Sequence, residues 1–301
     1  MTAVPEDRRA AAGGPEFEPV TVRRPAADPL PIVIDSPHSG NRYPADFRST
    51  IDHALLRQGE DLYVDALYAN APRHGATLIA ANFPRTYVDP NRVPTDIDEA
   101  LLDAPWPDEI APGPKTKLGV GLVWRLIGGH PIYSRKLSVD EVRARVERYY
   151  RPYHDALEQA LAGAYREFGA VWHLNVHSMP DDSYALLGLP VKPLADFVLG
   201  DLDGTTAGPE VLEVIESTLR GQGYSVARND PFKGVEIIAR SGDPECSRHA
   251  LQIEIKRSLY ADVERHAPNE GFARMQAALD AMMAALAAHV RSTLADRPHE
   301  R

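Results

Sequence analysis

Apolar and polar positions fall into short, well-separated blocks along the 301-residue chain. Residues 31–35, Pro-Ile-Val-Ile-Asp, form an apolar run that ends in a Ser-Pro-His-Ser-Gly turn, the pattern of a strand buried near the centre of a sheet. Between about 54 and 71, Leu55, Leu56, Leu62, Leu67 and Tyr68 recur at mixed, broadly helical spacings, and 76–81 reads as a second strand. Ser138-Val139-Asp140-Glu141 is a capping box, in which serine oxygen and glutamate carboxylate satisfy each other's backbone N–H groups. It opens a helix to about 168, kinked or broken near Pro152, which lacks the N–H for the i−4 bond. Strands are predicted at 171–176 and 197–199, and Pro209 suits the first turn of a helix ending near Gly221. Further strands are predicted around 225–228, 235–239 and 251–255, then a long Ala- and Met-rich helix over about 269–294. Strands alternating with helices predict one α/β domain, residues 30–296, with a mixed central sheet flanked by helices.

Two stretches break this rhythm. Residues 1–29, rich in Ala, Pro, Arg and Glu, are expected to be mostly disordered and to become extended near 17–22. Residues 93–133 are punctuated by prolines and glycines and cannot form one long element; a loop of that length is expected to cover something functional.

Composition narrows the chemistry. With 33 Lys+Arg against 43 Asp+Glu, the formal net charge of −10 argues against a nucleic-acid or polyanion binder, while leaving room for a local basic pocket. Cys246 is the single cysteine, which excludes an intramolecular disulfide framework and a Cys-rich zinc site. Any metal must be held by histidines and carboxylates. No apolar run approaches the roughly 18 residues of a membrane helix, and Arg8-Arg9 has no apolar h-region behind it. A cytoplasmic protein without membrane or nucleic-acid partners is expected.

Among 11 histidines, the informative ones stand at strand ends, where α/β folds place ligands. His38 lies in the turn after the first strand, where Gly40 permits an unusual backbone angle or a close approach. His177, followed by Ser178, comes directly after the strand at 171–176. The two could converge at one sheet edge, or each could be a turn histidine bonded to backbone. His173, four residues before His177 on the same strand face, reads as a core or supporting residue. Glu60, Asp61 and Asp65 fall in the helical stretch, ordinarily a solvated face. Glu254, inside Leu251-Gln252-Ile253-Glu254-Ile255, is costly in so apolar a strand unless paired, ligated or used as a base. The segment Arg85-Thr86-Tyr87-Val88-Asp89-Pro90-Asn91-Arg92 can grip a carboxylate bidentately, or be a surface loop with one Asp–Arg pair.

Taken in order, Ser-Pro-His-Ser-Gly with Tyr43-Pro44, Glu60-Asp61 with Val64-Asp65, Arg85 to Arg92, Val176-His177-Ser178-Met179, and Ala250 to Glu254 with Leu259-Tyr260 resemble the N-formylglutamate amidohydrolase family. Each motif is short, but five in the same order, spanning about residues 31–260, are specific. The resemblance implies a fold similar to the zinc carboxypeptidases and aspartoacylase, and a bacterial deformylase releasing formate and glutamate, typically late in histidine degradation. It implies one zinc ion held by His38 and His177; Asn41 stands where a carboxypeptidase-type site has its glutamate ligand, so Asp61 is taken as third ligand, with Glu60 as the alternative. Two histidines, one carboxylate and an open water position make a catalytic zinc site.

By the same resemblance Glu254 is the general base, Arg85 polarises the scissile carbonyl, and Asn91 with Arg92 grips a substrate carboxylate; Arg240, which flanks the last motif, is taken as a further substrate contact. The expected partner is a small carboxylated amide, N-formyl-L-glutamate first and another N-acyl amino acid second. A non-catalytic binding member would have lost a histidine, Glu254 or the arginine cluster, and all are present. A serine nucleophile is disfavoured because neither Ser39 nor Ser178 sits in a Gly-x-Ser-x-Gly elbow.

Overall fold

A computed structural model describes residues 14–296. Seven strands form the central sheet: β1 (Val20–Arg23), β2 (Ile32–Ser36), β3 (Thr77–Ala81), β4 (Val171–Met179), β5 (Phe197–Gly200), β6 (Val226–Arg228) and β7 (Arg248–Lys256). Across the sheet they run β1-β3-β2-β4-β7-β5-β6. The block β3-β2-β4-β7 is parallel, β1 is antiparallel to β3, and β5 with β6 runs antiparallel to β7. The sheet is therefore mixed, as the alternation of elements predicts. The extended stretch expected near 17–22 is edge strand β1, with Val20 opposite Ala81. Of the segment expected to be mostly disordered, 14–29 includes this ordered strand, and 1–13 lie outside the described residues.

The helices that bear on the site are α1 (His53–Arg57), α2 (Val64–Leu67), α3 (Val139–Arg145), α4 (Arg151–Phe168), α5 (Pro209–Gly221), α6 (Glu236–Ser241) and α7 (Phe272–Ala295). The capping box at Ser138 is present, and a π-helical segment, Val146–Tyr150, joins α3 to α4 just before Pro152. That wider turn absorbs the proline's missing N–H without ending the helix. Among the described residues no helix is long and apolar enough to cross a membrane.

Alternation along the central strands separates two faces. Ile34, Leu174 and Leu251 lie side by side in register, and with Trp172, Val176 and Ile253 they pack against α5 and α7. The other face carries Val33 and Asp35 of β2, His173, Asn175 and His177 of β4, and Gln252 and Glu254 of β7. It is covered by α4, whose Tyr153 and Leu157 are buried, and by the chain from 83 to 133. Every residue of β2 and β4 is buried, and Asp35, His173, Asn175 and His177 on this face are hydrogen-bonded inside the protein.

Three elements differ from the pattern. The helical stretch at 54–71 is interrupted: Gly59 packs against Thr86 and Trp124 with no room for a side chain, and Tyr63 takes a left-handed conformation at φ 58°. Glu60 and Asp61 therefore sit in the link between α1 and α2, where the Asp61 amide donates to the His38 carbonyl at 2.9 Å. The run at 235–239 is helix α6 rather than a strand, with Ile237 and Ile238 buried on consecutive positions. A short apolar run does not distinguish the two, and tertiary packing decides. Finally, β4 extends to Met179, so His177 is part of the strand and stands beside Glu254 in the parallel register.

Gly40 is needed for close approach, not for an unusual angle. A Cβ there would lie 2.2 Å from the Phe83 carbonyl oxygen, where the turn after β2 meets the chain leaving β3. Gly40→Ala is expected to lower stability by about 2 kcal/mol or more, since neither backbone can yield. A urea denaturation curve with an unshifted midpoint would contradict this.

Candidate active site

Asp35 anchors the polar face. Its carboxylate accepts from Tyr153 Oη at 2.6 Å and from Asn175 Nδ2 at 3.0 Å on each oxygen, and lies 2.7 Å from His173 Nε2. Burial alone would raise its pKa, but His173, Tyr153 and Asn175 together hold it below the usual carboxylate value. These bonds fix the Asn175 amide. With Nδ2 committed to Asp35, Oδ1 faces His177 Nε2 at 2.7 Å and can only accept. His177 Nε2 therefore carries a proton, and Nδ1 is the nitrogen turned toward Asp61.

His38 is set the same way. Its Nε2 lies 2.8 Å from Asp89 Oδ1. Burial opposes ionisation of Asp89, but the Arg85 guanidinium, with His38 and Arg92, holds it well below the usual range. An ionised carboxylate only accepts, so the His38 proton is on Nε2 and Nδ1 is a lone pair. That Nδ1 is buried without a hydrogen-bond partner, 3.4 Å from Asp61 Oδ2. His177 Nδ1 lies 3.0 Å from the same oxygen.

Two imidazole Nδ1 atoms and a carboxylate oxygen thus converge, with the far nitrogen of each ring already engaged by an acceptor. Burial would raise Asp61, yet His177 and His38 hold it well below the ordinary value, so it is an anion. The ligand atoms of His38, Asp61 and His177 all lie within 4.8 Å of one another. Ligands about 2.0–2.1 Å from a tetrahedral zinc are about 3.3 Å apart, which the 3.4 and 3.0 Å separations match. The donor set fits a divalent cation. Histidines whose far nitrogens are held by a carboxylate and an amide are the usual support of such a centre.

The two neighbouring acids are engaged differently. Glu60 is committed, accepting from Tyr43 Oη at 2.7 Å and from Arg57 Nε at 3.0 Å. Asp61 has Oδ1 held by Arg257 Nη2 at 3.3 Å, which leaves Oδ2 toward the histidines. Arg257 is buried and also donates to Ser178 Oγ at 3.1 Å.

Glu254 stands next to His177 across the β4–β7 pairing, with Oε1 accepting from Gln252 Nε2 at 3.0 Å. Burial pushes its carboxyl up to about 7; His177, Arg85 and Arg257 oppose the rise and Asp61 adds to it. A carboxyl poised there can both take and return a proton near neutral pH. Arg85 donates through Nε and Nη2 to Asp89 Oδ2, at 3.1 and 2.8 Å, and its guanidinium stacks 5.0 Å from the Trp124 ring centre.

Asn91 is buried, with Nδ2 3.3 Å from His177 Nε2, and Arg92 donates to the carbonyls of Val120 and Asn91. Arg240 is placed elsewhere. On α6 its Nη2 meets His154 Nδ1 at 3.2 Å, and among the described residues no hydrogen bond joins it to the histidine–aspartate group.

Sequence reading brings together His38, Asp61, His177, Glu254, Arg85 and Asn91, but misses what supports them. Asn175 and Asp35 were discoverable, because His173, Asn175 and His177 repeat with period two and Asp35 closes an apolar run. Arg257 had no such signal: one arginine after a strand is ordinary.

A family model described as N-formylglutamate amidohydrolase matches residues 30–261. The N-formylglutamate deformylase of Pseudomonas putida is 29% identical over 237 residues, 77% of this chain and 82% of that protein. The Pseudomonas aeruginosa deformylase is 29% identical over 241 residues, 77% and 83% of the two chains. The crystal structure of N-formylglutamate amidohydrolase from Ralstonia eutropha JMP134 superposes with a TM-score of 0.91 at 53% identity, over 92% of this chain and all (100%) of that one. Gene product Atu2144 of Agrobacterium tumefaciens shares the fold, with a TM-score of 0.62 at 20% identity over 95% and 98% of the two chains.

Two measurements probe this geometry. Asp89→Asn frees His38 to carry its proton on either nitrogen, so divalent-metal affinity by calorimetric titration should fall about 10- to 100-fold. The second concerns the Arg240–His154 contact. Burial first, and then the Arg240 charge, push His154 down to about 4, whereas the unfolded chain takes up that proton near 6.5. The folded state thus loses stability as pH falls from about 6.5 toward 4, with no further loss from this group below. His154→Gln should flatten that part of the denaturation-versus-pH curve; an unchanged slope would place the titration elsewhere.

Proposed function

The chain belongs to the N-formylglutamate amidohydrolase family and is a hydrolase of linear amide C–N bonds, and from that footing we propose that it is a zinc-dependent deformylase of N-formyl-L-glutamate, releasing formate and L-glutamate. The observation that carries the reading is the convergence of His38 Nδ1, Asp61 Oδ2 and His177 Nδ1 beside a buried carboxyl, Glu254.

His38, Asp61 and His177 would hold the zinc. When bound, zinc supplies Lewis acidity, polarising the formyl carbonyl and making water a stronger acid. The rest belongs to the protein. Glu254 takes a proton from the attacking water as its oxygen bonds to the formyl carbon. The same carboxyl then gives that proton to the amide nitrogen as the C–N bond breaks, so the amine leaves neutral. Arg85 is oriented by Asp89 through Nε and Nη2 and stacked on Trp124, which fixes its remaining edge for the oxygen that gains negative charge. Asn91 and Arg92 bind the α-carboxylate. An acidic protein acting on a dianion depends on such local cationic groups, because its overall field repels the substrate.

The test is formate release from N-formyl-L-glutamate after chelation and again after zinc is restored. Activity should vanish and return. Glu254→Gln should retain zinc by elemental analysis and lose turnover about 10²- to 10⁴-fold. A fully active Glu254→Gln protein would remove the carboxyl from the mechanism, and a zinc-loaded protein releasing no formate would remove the substrate.

A further inference from the structure

The Pro- and Gly-rich stretch at 93–133 carries a cation to the site that the motifs do not include. Lys115 lies on the single helical turn Pro114–Lys117. Asp96 pins that turn: its Oδ1 accepts from the Gly113 amide at 2.8 Å and from the Thr116 hydroxyl. Gly121 closes against the same place, since a Cβ there would lie 2.8 Å from the Asp96 carbonyl oxygen. The turn is also tied to Arg92. Arg92 Nε donates to the Val120 carbonyl at 3.2 Å, and the Val120 amide donates to the Lys115 carbonyl at 3.0 Å. Lys115 is thus carried on a braced turn, one residue's hydrogen bonding away from the Arg92 guanidinium.

The charges in this corner do not balance. Arg85 is matched by Asp89. Arg92 shares the Asp89 charge with Arg85, and its other carboxylate, Asp96, lies 3.9 Å away with one oxygen already committed. Lys115 has no carboxylate partner among the described residues, and its ammonium is held below the usual lysine value by burial and by the Arg92 and Arg85 charges. Like charges gathered without an intervening anion repel, and an anionic ligand removes that cost.

N-formyl-L-glutamate carries two carboxylates, and Arg92 with Asn91 accounts for one. We propose that Lys115 binds the side-chain carboxylate and so sets the preference for an N-formylated dicarboxylic amino acid over its neutral analogues. This rests on the deformylase reading above. The contact is remote from the bond that breaks, so it contributes equally to ground-state and transition-state binding and acts on KM.

The experiment compares N-formyl-L-glutamate with its neutral isostere N-formyl-L-glutamine on the zinc-loaded full chain. Lys115→Met should raise KM for the glutamate substrate about 10- to 100-fold, leave kcat within about twofold and leave KM for the glutamine substrate nearly unchanged. Lys115→Arg should restore most of the preference. Because the Lys115 side chain makes no hydrogen bond or ion pair among the described residues and stands on a four-residue turn, both variants should keep the native denaturation midpoint. Equal KM changes for the two substrates, or none, in a protein that still deformylates N-formyl-L-glutamate would overturn the role of Lys115 alone. A native chain that deformylates neither substrate would overturn the deformylase reading and this inference with it.

Discussion

Everything around the site serves one electrostatic constraint: to receive a cation, two imidazole nitrogens stripped of their protons must stand face to face with an ionised carboxylate in a buried pocket. Such an arrangement is repulsive by itself, and the protein enforces it by deciding where each proton goes. Arg85 keeps Asp89 ionised, Asp89 holds the His38 proton on the far nitrogen, and the Asp35–Asn175 pair does the same for His177. Arg257 occupies the outer oxygen of Asp61 and leaves the inner one to the histidines. These are four separate devices with a shared effect. The stabilisation they require is supplied by the apolar side of the same strands, packed on α5 and α7.

The division of each central strand into an apolar and a polar face makes this possible. Parallel strands buried on both sides are usually apolar throughout. Here the alternation Trp172-His173-Leu174-Asn175-Val176-His177 commits one face to the core and the other to the site. Moving β4 by one residue against β7 would exchange the two faces and bury the site histidines among leucines. Core packing and site geometry therefore specify the same register.

That coupling also explains what could be read from sequence. Strands β2, β3, β4 and β7 announce themselves by apolar runs, and α3 by its capping box, because those signals are local. Glu254 is legible because a carboxylate in an apolar strand demands a reason. Asp61 was legible as a candidate, but its selection over Glu60 was not, since it depends on Tyr43 and Arg57 engaging Glu60. The α6 segment was misread because Val-Glu-Ile-Ile-Ala has β-branched residues and no length to betray a helix. Arg257 and Lys115 were invisible for another reason: the groups they stand beside are distant in the chain, and a solitary basic residue carries no period. Arg240, chosen for flanking a motif, shows the converse, that nearness in sequence is not convergence in space.

The link that places Asp61 has a consequence for how the protein acquires its structure. Asp61 and His177 are 116 residues apart, and His38 reaches Asp89 across 51. His177 does not join His38 and Asp61 until β2 has paired with β4, a long-range parallel pairing of the kind that forms late and slowly in folding. Before that pairing a cation has no complete cage to gather on. A metal held by these three groups would therefore load after folding instead of nucleating it, unlike small zinc domains whose ligands sit a few residues apart and fold around the ion.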